Sequence, residues 1–107
     1  MKKDKALNDA EVECMIKRKG LTAPRLDQTH INSVVADINY YVFPTTQLTV
    51  CCLTLVNGFT VTGESACASP ENFDAEIGRG IALTNAKDKI WLLEGYLLKQ
   101  KLFEGAE

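Results

Sequence analysis

Residues 47–62 read QLTVCCLTLVNGFTVT, and this stretch decides the fold because two strand-forming segments flank Asn57-Gly58. The segments 47–56 and 59–62 are rich in the β-branched and apolar residues that are typical of strands. Asn-Gly is the pair that most favours a two-residue type I′ turn, in which both central residues have positive φ. The stretch therefore predicts an antiparallel hairpin as the base of a small sheet.

The predicted turn also determines which side chains of the hairpin share a face. On one face it places Val56 opposite Phe59 and Thr54 opposite Val61. On the other face it places Leu55 opposite Thr60 and Leu53 opposite Thr62. We expect the first face to pack into the core. The second face keeps more apolar area than a solvated face needs, and a partner subunit is one candidate to cover it.

Upstream of the hairpin, residues 8–37 predict two short helices. Asn8 or Asp9 can cap the first helix, and Gly20 stands where a helix normally stops. Asp27 can cap the second helix, after the turn Thr22-Ala23-Pro24-Arg25. Apolar residues recur at helical spacing in both segments: Val12, Met15 and Ile16, then Ile31, Val34 and Val35. We expect residues 1–7 to be flexible.

A change of character at Ile38 predicts where the sheet starts. The run Tyr40-Tyr41-Val42-Phe43 favours a short strand, which Pro44 ends. The sheet is thus predicted over residues 38–63. The small residues from Gly63 to Ala68 predict a loop that connects the sheet to the next element.

The C-terminal part, residues 69–103, predicts one long helix. Ser69-Pro70 is a good helix start, because serine can cap free amides and proline has no amide of its own to leave unbonded. Apolar residues follow at spacings of three and four: Phe73, Ile77, Ile81, Ala82, Ala86, Ile90, Leu93 and Leu97. A continuous helix would be about 50 Å long, whereas a compact domain of this size has a radius of gyration of about 13 Å. The helix therefore either breaks near Gly78-Arg79-Gly80 or Gly95 or projects into an oligomer, and we favour a homo-oligomer.

Composition places the chain among globular proteins of a single domain, residues 1–107. Hydrophobic residues make up 46% and charged residues 24%, and the net charge is −2. This balance gives no overall basic field for nucleic acid or membrane, and no apolar segment is long enough to span a bilayer. Two helices, an antiparallel sheet and a final helix predict the α+β class.

Cysteine and histidine usage predicts neither a metal site nor a catalytic centre. The four cysteines are interpreted as thiols: Cys14, Cys51, Cys52 and Cys67. His30 is the single histidine, and no metal-binding spacing surrounds it. Catalysis by His30 would need an acid or nucleophile from another element, such as Cys14 or Glu64. We therefore expect a protein that is not an enzyme and that carries no cofactor.

Five polar residues are candidate ligand contacts. Arg79, between two glycines, can present a two-pronged guanidinium to a phosphate, although an exposed arginine on a tightly packed helix explains it too. Thr62, Glu64 and Ser65 offer hydroxyls and a carboxylate where sheet meets helix, although a plain turn with a cap explains them as well. Arg25 is the fifth candidate, as a second cation.

A basic cluster, Lys17-Arg18-Lys19 with Arg25, lies beside the two predicted N-terminal helices. Such a helix pair can contact the phosphates of nucleic acid. The second helix, however, lacks the Arg or Lys that would contact base edges. Solvated surface is the simpler interpretation, and we expect nucleic-acid binding less than binding of a small ligand.

Several stretches resemble one family when they are taken together: Thr22-Ala23-Pro24-Arg25, residues 57–65, Asn72-Phe73-Asp74, Ile77-Gly78-Arg79, Trp91 and Glu94-Gly95-Tyr96-Leu97-Leu98. Over about residues 20–102 the chain is similar to a widespread family of short tailed-phage proteins of unknown function. The chain departs from that family at Leu92, near which the family prefers proline, and at Gly80, where it prefers a longer side chain. The resemblance implies expression in an infected bacterium, a place in the host bacterial cytoplasm and an accessory role that acts on the host. It implies no catalytic residue.

Together these observations favour a non-enzymatic phage counter-defence protein. In this interpretation an oligomer binds and sequesters a small nucleotide-type signal of bacterial immunity through Arg25, Thr62, Glu64, Ser65 and Arg79. A protein that sequesters a ligand acts by mass action, so it needs tight binding but no catalysis. Two alternatives stay open: a nucleic-acid-binding regulator that uses the basic cluster, and an inhibitor of a host enzyme that uses the uncovered sheet face or the long helix.

Overall fold

A computed structural model describes residues 8–21 and 23–105 of the chain. The elements are α1 (Asp9–Arg18), α2 (Gln28–Ser33), β1 (Val35–Val42), β2 (Leu48–Leu55), β3 (Thr60–Ala66), a 3₁₀ turn (Pro70–Asn72) and α3 (Ala75–Gly105). The strands form an antiparallel sheet in the order β1-β2-β3. The predicted α+β class, with an antiparallel sheet and a long C-terminal helix, is confirmed, and the two N-terminal helices are short. The predicted flexible segment 1–7 and Thr22 of the predicted turn lie outside the described residues.

Both N-terminal helices begin at predicted caps. Asn8 caps α1, because its Oδ1 accepts a hydrogen bond from Glu11 N at 2.8 Å while Glu11 Oε1 accepts from Asn8 N at 3.3 Å. Asp27 caps α2, because its Oδ1 accepts from His30 N at 2.9 Å. Gly20, with a φ of 66°, follows the end of α1 in a backbone conformation that favours glycine.

The sheet begins earlier than the sequence predicts, at Val35 rather than Ile38. Val34 ends α2, and Val35 enters β1 opposite Leu55. Val34 O also accepts a hydrogen bond from Val56 N at 2.9 Å, which attaches this junction to the end of β2. The helical spacing of these valines is therefore misleading, since pairing with β2 outweighs local helix propensity.

The β2–β3 hairpin turns at Asn57-Gly58 as predicted, but the loop differs from the predicted one. Gly58 has a φ of 89°, whereas Asn57 does not have positive φ, so the turn is not of type I′. Gly58 N donates to Leu55 O at 2.8 Å, and Leu55 N donates to Phe59 O at 2.7 Å. These bonds close a three-residue loop of the kind in which a type I turn is followed by a left-handed residue.

The longer loop shifts the register by one residue, so the predicted core face is wrong for β2, whereas Val61 of β3 is buried as predicted. Leu53 pairs with Val61 rather than with Thr62. The buried face of β2 consists of Thr49, Cys51, Leu53 and Leu55. Val56 and Phe59, which the predicted turn places in the core, are 68% and 56% exposed. Register and face are linked because neighbouring side chains of a strand point to opposite sides of the sheet.

Helix α3 packs across β2 and β3 through small side chains. Ala82, Ala86 and Ile90 recur every four residues and are fully buried. At Gly63 of β3 the helix lies so close that an added Cβ would be 2.8 Å from Asn85 C and would overlap backbone atoms of Ala82 and Ala86. Glycine is required at this position because strand and helix meet backbone to backbone.

The long helix begins later than predicted and is continuous. Ser69-Pro70 starts only the 3₁₀ turn, whereas Asp74 Oδ1 accepts from Ile77 N at 3.0 Å at the start of α3. The helix then continues through Gly78, Gly80 and Gly95, so the predicted alternative of a break is wrong. Its 31 residues span about 46 Å.

The continuous helix makes the chain extended. The radius of gyration is 17.1 Å, against about 13 Å for a compact domain of this length. Because the chain is this extended, the helix projects from the core, as the other predicted alternative requires.

Among the residues described, no helix is both long enough and apolar enough to cross a membrane.

Candidate functional site

Arg25 is engaged in an ion pair with α1. Its guanidinium donates to both carboxylate oxygens of Glu13, at 2.9 and 2.8 Å, and to Leu26 O at 3.4 Å. The hydrogen bonds from Arg25 lower the pKa of the Glu13 carboxyl. Lys17 Nζ lies 4.0 Å from the same carboxylate. Glu13 therefore offsets part of the positive charge of the predicted basic cluster. It also accepts hydrogen bonds from both terminal nitrogens of Arg25, which a phosphate would otherwise use.

Thr62, Glu64 and Ser65 lie in strand β3, so the predicted loop over these residues is wrong. Because side chains alternate along a strand, Ser65 shares the face that α3 covers, whereas Thr62 and Glu64 point to the opposite face. On that opposite face Thr62 Oγ1 donates to Glu64 Oε1 at 3.3 Å. Asn85 Nδ2 of α3 donates to Glu64 O at 2.8 Å. The small residues in this segment reflect the close approach of α3 to the strand.

Arg79 stands on the flank of α3 that faces β1. Arg79, Leu83 and Lys87 recur every four residues and so occupy one side of the helix. Leu83 packs against the core, and Lys87 Nζ donates to Asn32 Oδ1 of α2 at 3.0 Å. Burial raises the pKa of the Tyr40 phenol on β1, and the nearby charge of Arg79 acts against that rise.

An open cleft lies between α2, β1 and α3. It has a volume of about 510 Å³ and is lined by Asn32, Val35, Ala36, Asp37, Ile38 and Lys87. The cleft exists because α3 packs over β2 and β3 and leaves β1, which is exposed along most of its length, beside it. The cleft is open to solvent, with the helix on one side and the strand on the other.

The five predicted ligand residues do not share one surface. Leu26, next to Arg25, lies near the C-terminal part of α3, since a Cβ added to Gly95 would be 3.9 Å from Leu26 Cδ1. Gly95 and Arg79 are separated by about 24 Å of helix. The three strand residues either point to the far face of the sheet or lie under the helix. Of the five, Arg79 is the residue on the same flank of α3 as Lys87, which lines the cleft.

Sequence reasoning missed two residues that line the cleft, Asn32 and Lys87. It also missed Tyr40, which lies on β1 beyond the lining residue Ile38. The spacing of eight residues between Arg79 and Lys87 is a signal that could have found the lysine, because both fall on one flank of a helix. Asn32 and Tyr40 carry no comparable signal. They meet α3 only after α2 and β1 have packed beside it.

Groups with catalytic or metal-binding chemistry are spread over the fold. His30 Nε2 lies 2.7 Å from Glu94 Oε1, which joins α2 to α3. The four cysteines are free, with Cys51 buried and Cys14 exposed. Within residues 8–21 and 23–105, no three His, Cys, Asp or Glu side chains are grouped to hold a metal ion.

Comparison with known proteins gives a family match. The model of the phage protein (N4 Gp49/phage Sf6 gene 66) family matches residues 26–102, a span that includes the whole sheet and nearly all of α3. No curated protein and no solved structure matches the chain. Since the match covers well over half of the sequence, the chain belongs to the phage protein (N4 Gp49/phage Sf6 gene 66) family.

Proposed function

We propose that this protein is a phage accessory protein that acts against host defence by binding rather than by catalysis. As a homo-oligomer in the host bacterial cytoplasm, it binds a small nucleotide-type immune signal and withdraws it from its receptor. Membership of a phage protein family supports this setting. The observation that carries the proposal is the large apolar surface that a single chain leaves exposed.

The C-terminal half of α3 exposes an apolar stripe. Leu92, Tyr96 and Phe103, which lie on one side of the helix, are 77%, 75% and 71% exposed. An apolar stripe on a helix normally packs against another element. The chain exposes 8149 Å² in total, whereas a compact monomer of this mass exposes about 5,900 Å². The surplus supports a subunit that packs against copies of itself.

Sequestration suits a small oligomer with several identical sites. A sequestering protein lowers the free concentration of its ligand by mass action, so its effect depends on its affinity and abundance. The cleft beside β1 supplies a concave surface in each copy, and Arg79 is the predicted ligand residue that the proposal retains at this cleft. Arg25 is less suited because Glu13 already holds its guanidinium.

Native mass spectrometry of the full-length protein from phage-infected, defence-positive cells tests this proposal. We expect a defined oligomer that retains a nucleotide, and a higher melting temperature with a member of a panel of cyclic and NAD-derived nucleotides. Leu92→Ser and Tyr96→Ser should dissociate the oligomer, whereas Asp88→Ser, at an exposed polar position of the same helix, should not. A monomer that no nucleotide stabilises would overturn the proposal.

A second candidate function, inhibition of a host enzyme by direct binding, has one observation in its favour. The sheet face opposite α3 carries the aromatic Tyr41, which is 55% exposed. Its ring packs edge-on against Phe43, with ring centroids 4.9 Å apart. Exposed aromatic pairs of this kind are frequent anchors of protein interfaces. Capture of one stoichiometric host protein by the wild type but not by Tyr41→Ser would favour inhibition over sequestration.

A further inference from the structure

We propose that the cleft between β1 and α3 binds a nucleotide with two phosphates, in which Arg79 and Lys87 contact the phosphates and Tyr40 stacks on a base. This inference rests on the proposed function, because it assigns the sequestered ligand to one site. It also adds two contacts, Lys87 and Tyr40, that are not among the five ligand residues predicted from the sequence.

Lys87 lines the cleft, and Arg79 lies about two helical turns away on the same flank of α3. The half-buried Lys87 is held by a neutral amide, since its Nζ donates to Asn32 Oδ1 at 3.0 Å. In the part of the chain that the structure describes, no carboxylate forms an ion pair with Lys87 or Arg79. The hydrogen bond to Asn32 thus orients the Lys87 ammonium, but no neighbouring carboxylate of the described residues offsets its charge. Both groups can form charge-assisted hydrogen bonds, and the guanidinium can hold a phosphate with two of them.

The spacing of the two cations indicates two anionic groups rather than one. Arg79 and Lys87 are eight residues apart on one flank of α3, which is about 12 Å along the helix axis. Lys87 lies beside the start of β1, whereas Arg79 lies near Tyr40 further along the strand. Leu83 stands between the two cations and packs on the core. A ligand with a ring between two phosphates matches this order of positive, apolar and positive groups.

The facing wall of the cleft provides the surface for a base. Ile38 and Tyr40 pair with Leu53 and Cys51 on the buried face of β2, so they point to the same side of the sheet as α3. They nevertheless stay 41% and 39% exposed. An open tyrosine ring at the edge of a basic cleft can stack on any base, because every base has a π face.

Asp37 also lines the cleft, and its hydrogen bonds turn its carboxylate away from the two cations. Asp37 Oδ1 accepts from Ile38 N at 3.0 Å, and its Oδ2 accepts from Asn39 Nδ2 at 3.1 Å. Asn39 pairs with Cys52 and so lies on the face of the sheet opposite α3. The cation-bearing side of the cleft therefore stays positive.

Isothermal titration calorimetry with the full-length protein tests the assignment, with cyclic di-AMP, AMP and pyrophosphate as probes. We expect cyclic di-AMP to bind more tightly than AMP. Arg79→Ala and Lys87→Met should each weaken cyclic di-AMP by about tenfold or more, since each removes a charge-assisted bond. Tyr40→Leu should weaken cyclic di-AMP but leave pyrophosphate unchanged. The matched control is Lys89→Met, which removes a lysine from another side of the same helix and should bind as the wild type does.

Lys87→Met keeps the aliphatic stem and removes the charged end of the side chain, and circular dichroism of each variant verifies that it folds. Wild-type affinity in Arg79→Ala and Lys87→Met, with nucleotide still bound by the native protein, would overturn the cleft assignment and leave the proposed function standing. Equal losses in Lys89→Met would also overturn it, because the effect would then be one of general charge. No binding of any nucleotide by the wild type would overturn both proposals.

Discussion

Gly63→Ala should destabilise the fold strongly, because it adds a methyl group where strand β3 and helix α3 already meet backbone to backbone. The new Cβ would lie 2.8 Å from Asn85 C and would overlap the backbone oxygen of Ala82 and nitrogen of Ala86. Carbon atoms in contact normally stay about 3.5 Å apart, so α3 would have to lift from the sheet by more than about 0.7 Å. Overpacking costs about 1–3 kcal/mol where side chains can adjust, and we expect at least about 3 kcal/mol here.

Thermal unfolding followed by circular dichroism measures this cost, at one protein concentration because oligomer stability depends on concentration. A loss of about 3 kcal/mol should lower the melting temperature by roughly 12 °C or more. Gly80→Ala is the matched control: a Cβ at Gly80 meets no atom within 4 Å, and alanine favours a helix over glycine by about 1 kcal/mol. Gly63→Ala protein that melts within about 2 °C of the wild type would refute this packing of α3 on β3.

Three further predictions concern the turn, the thiols and the N-terminal ion pair. Gly58→Ala should cost about 1–2 kcal/mol through backbone strain, since a Cβ there meets no atom within 4 Å; an unchanged midpoint in chemical denaturation would contradict the left-handed turn. Timed alkylation with peptide mapping should label exposed Cys14 first and Cys51 last, because burial raises the pKa of the Cys51 thiol and keeps it protonated; early labelling of Cys51 would exclude the buried strand face. The ion pair lowers the pKa of Glu13 when folded, so its stabilising contribution is present above the unfolded pKa and is lost as the pH falls through the folded one. Carboxyl NMR titration should therefore show a higher Glu13 pKa in Arg25→Gln, and the same pKa in both proteins would mean that the pair does not form in solution.

Features that depend on neighbouring residues were predictable from the sequence. Asn8 and Asp27 cap their helices because a short side-chain oxygen reaches an amide three residues further on. The position of the hairpin turn at Asn57-Gly58 follows in the same way, since Gly58 adopts the positive φ that the turn needs. Each of these interactions closes within four residues.

The register of the hairpin was not predictable, because two kinds of loop use the same glycine. A two-residue type I′ loop and a three-residue loop with a left-handed glycine both fit Asn57-Gly58, and they differ by one residue in pairing. That one residue decides whether Leu53 or Thr54 enters the core. In the structure Leu53 and Leu55 lie in the core, because this arrangement buries their large apolar side chains under α3.

The candidate site also combines features that the sequence predicts with features that depend on tertiary packing. The residue type of Arg79 and its glycine neighbours predict a ligand contact, and in the structure Arg79 lies near Tyr40, on the flank of α3 that carries the cleft residue Lys87. Thr62, Glu64 and Ser65 were interpreted as a loop because small and polar residues are typical of loops, whereas Gly63 is small because a helix backbone lies against it. Such a cause lies about twenty residues away along the chain and leaves no signal in the neighbouring sequence.

Composition, caps and turn residues thus account for the α+β class, with short N-terminal helices, a hairpin and a long final helix. The folded chain was needed to show which sheet face is buried, that α3 continues through three glycines, and that Asn32 and Lys87 line one cleft. The physical reason for this difference is the distance along the chain over which each kind of interaction acts. Capping and turn energies act over a few residues, whereas register, helix continuity and the cleft depend on apolar burial between segments that only tertiary packing brings together.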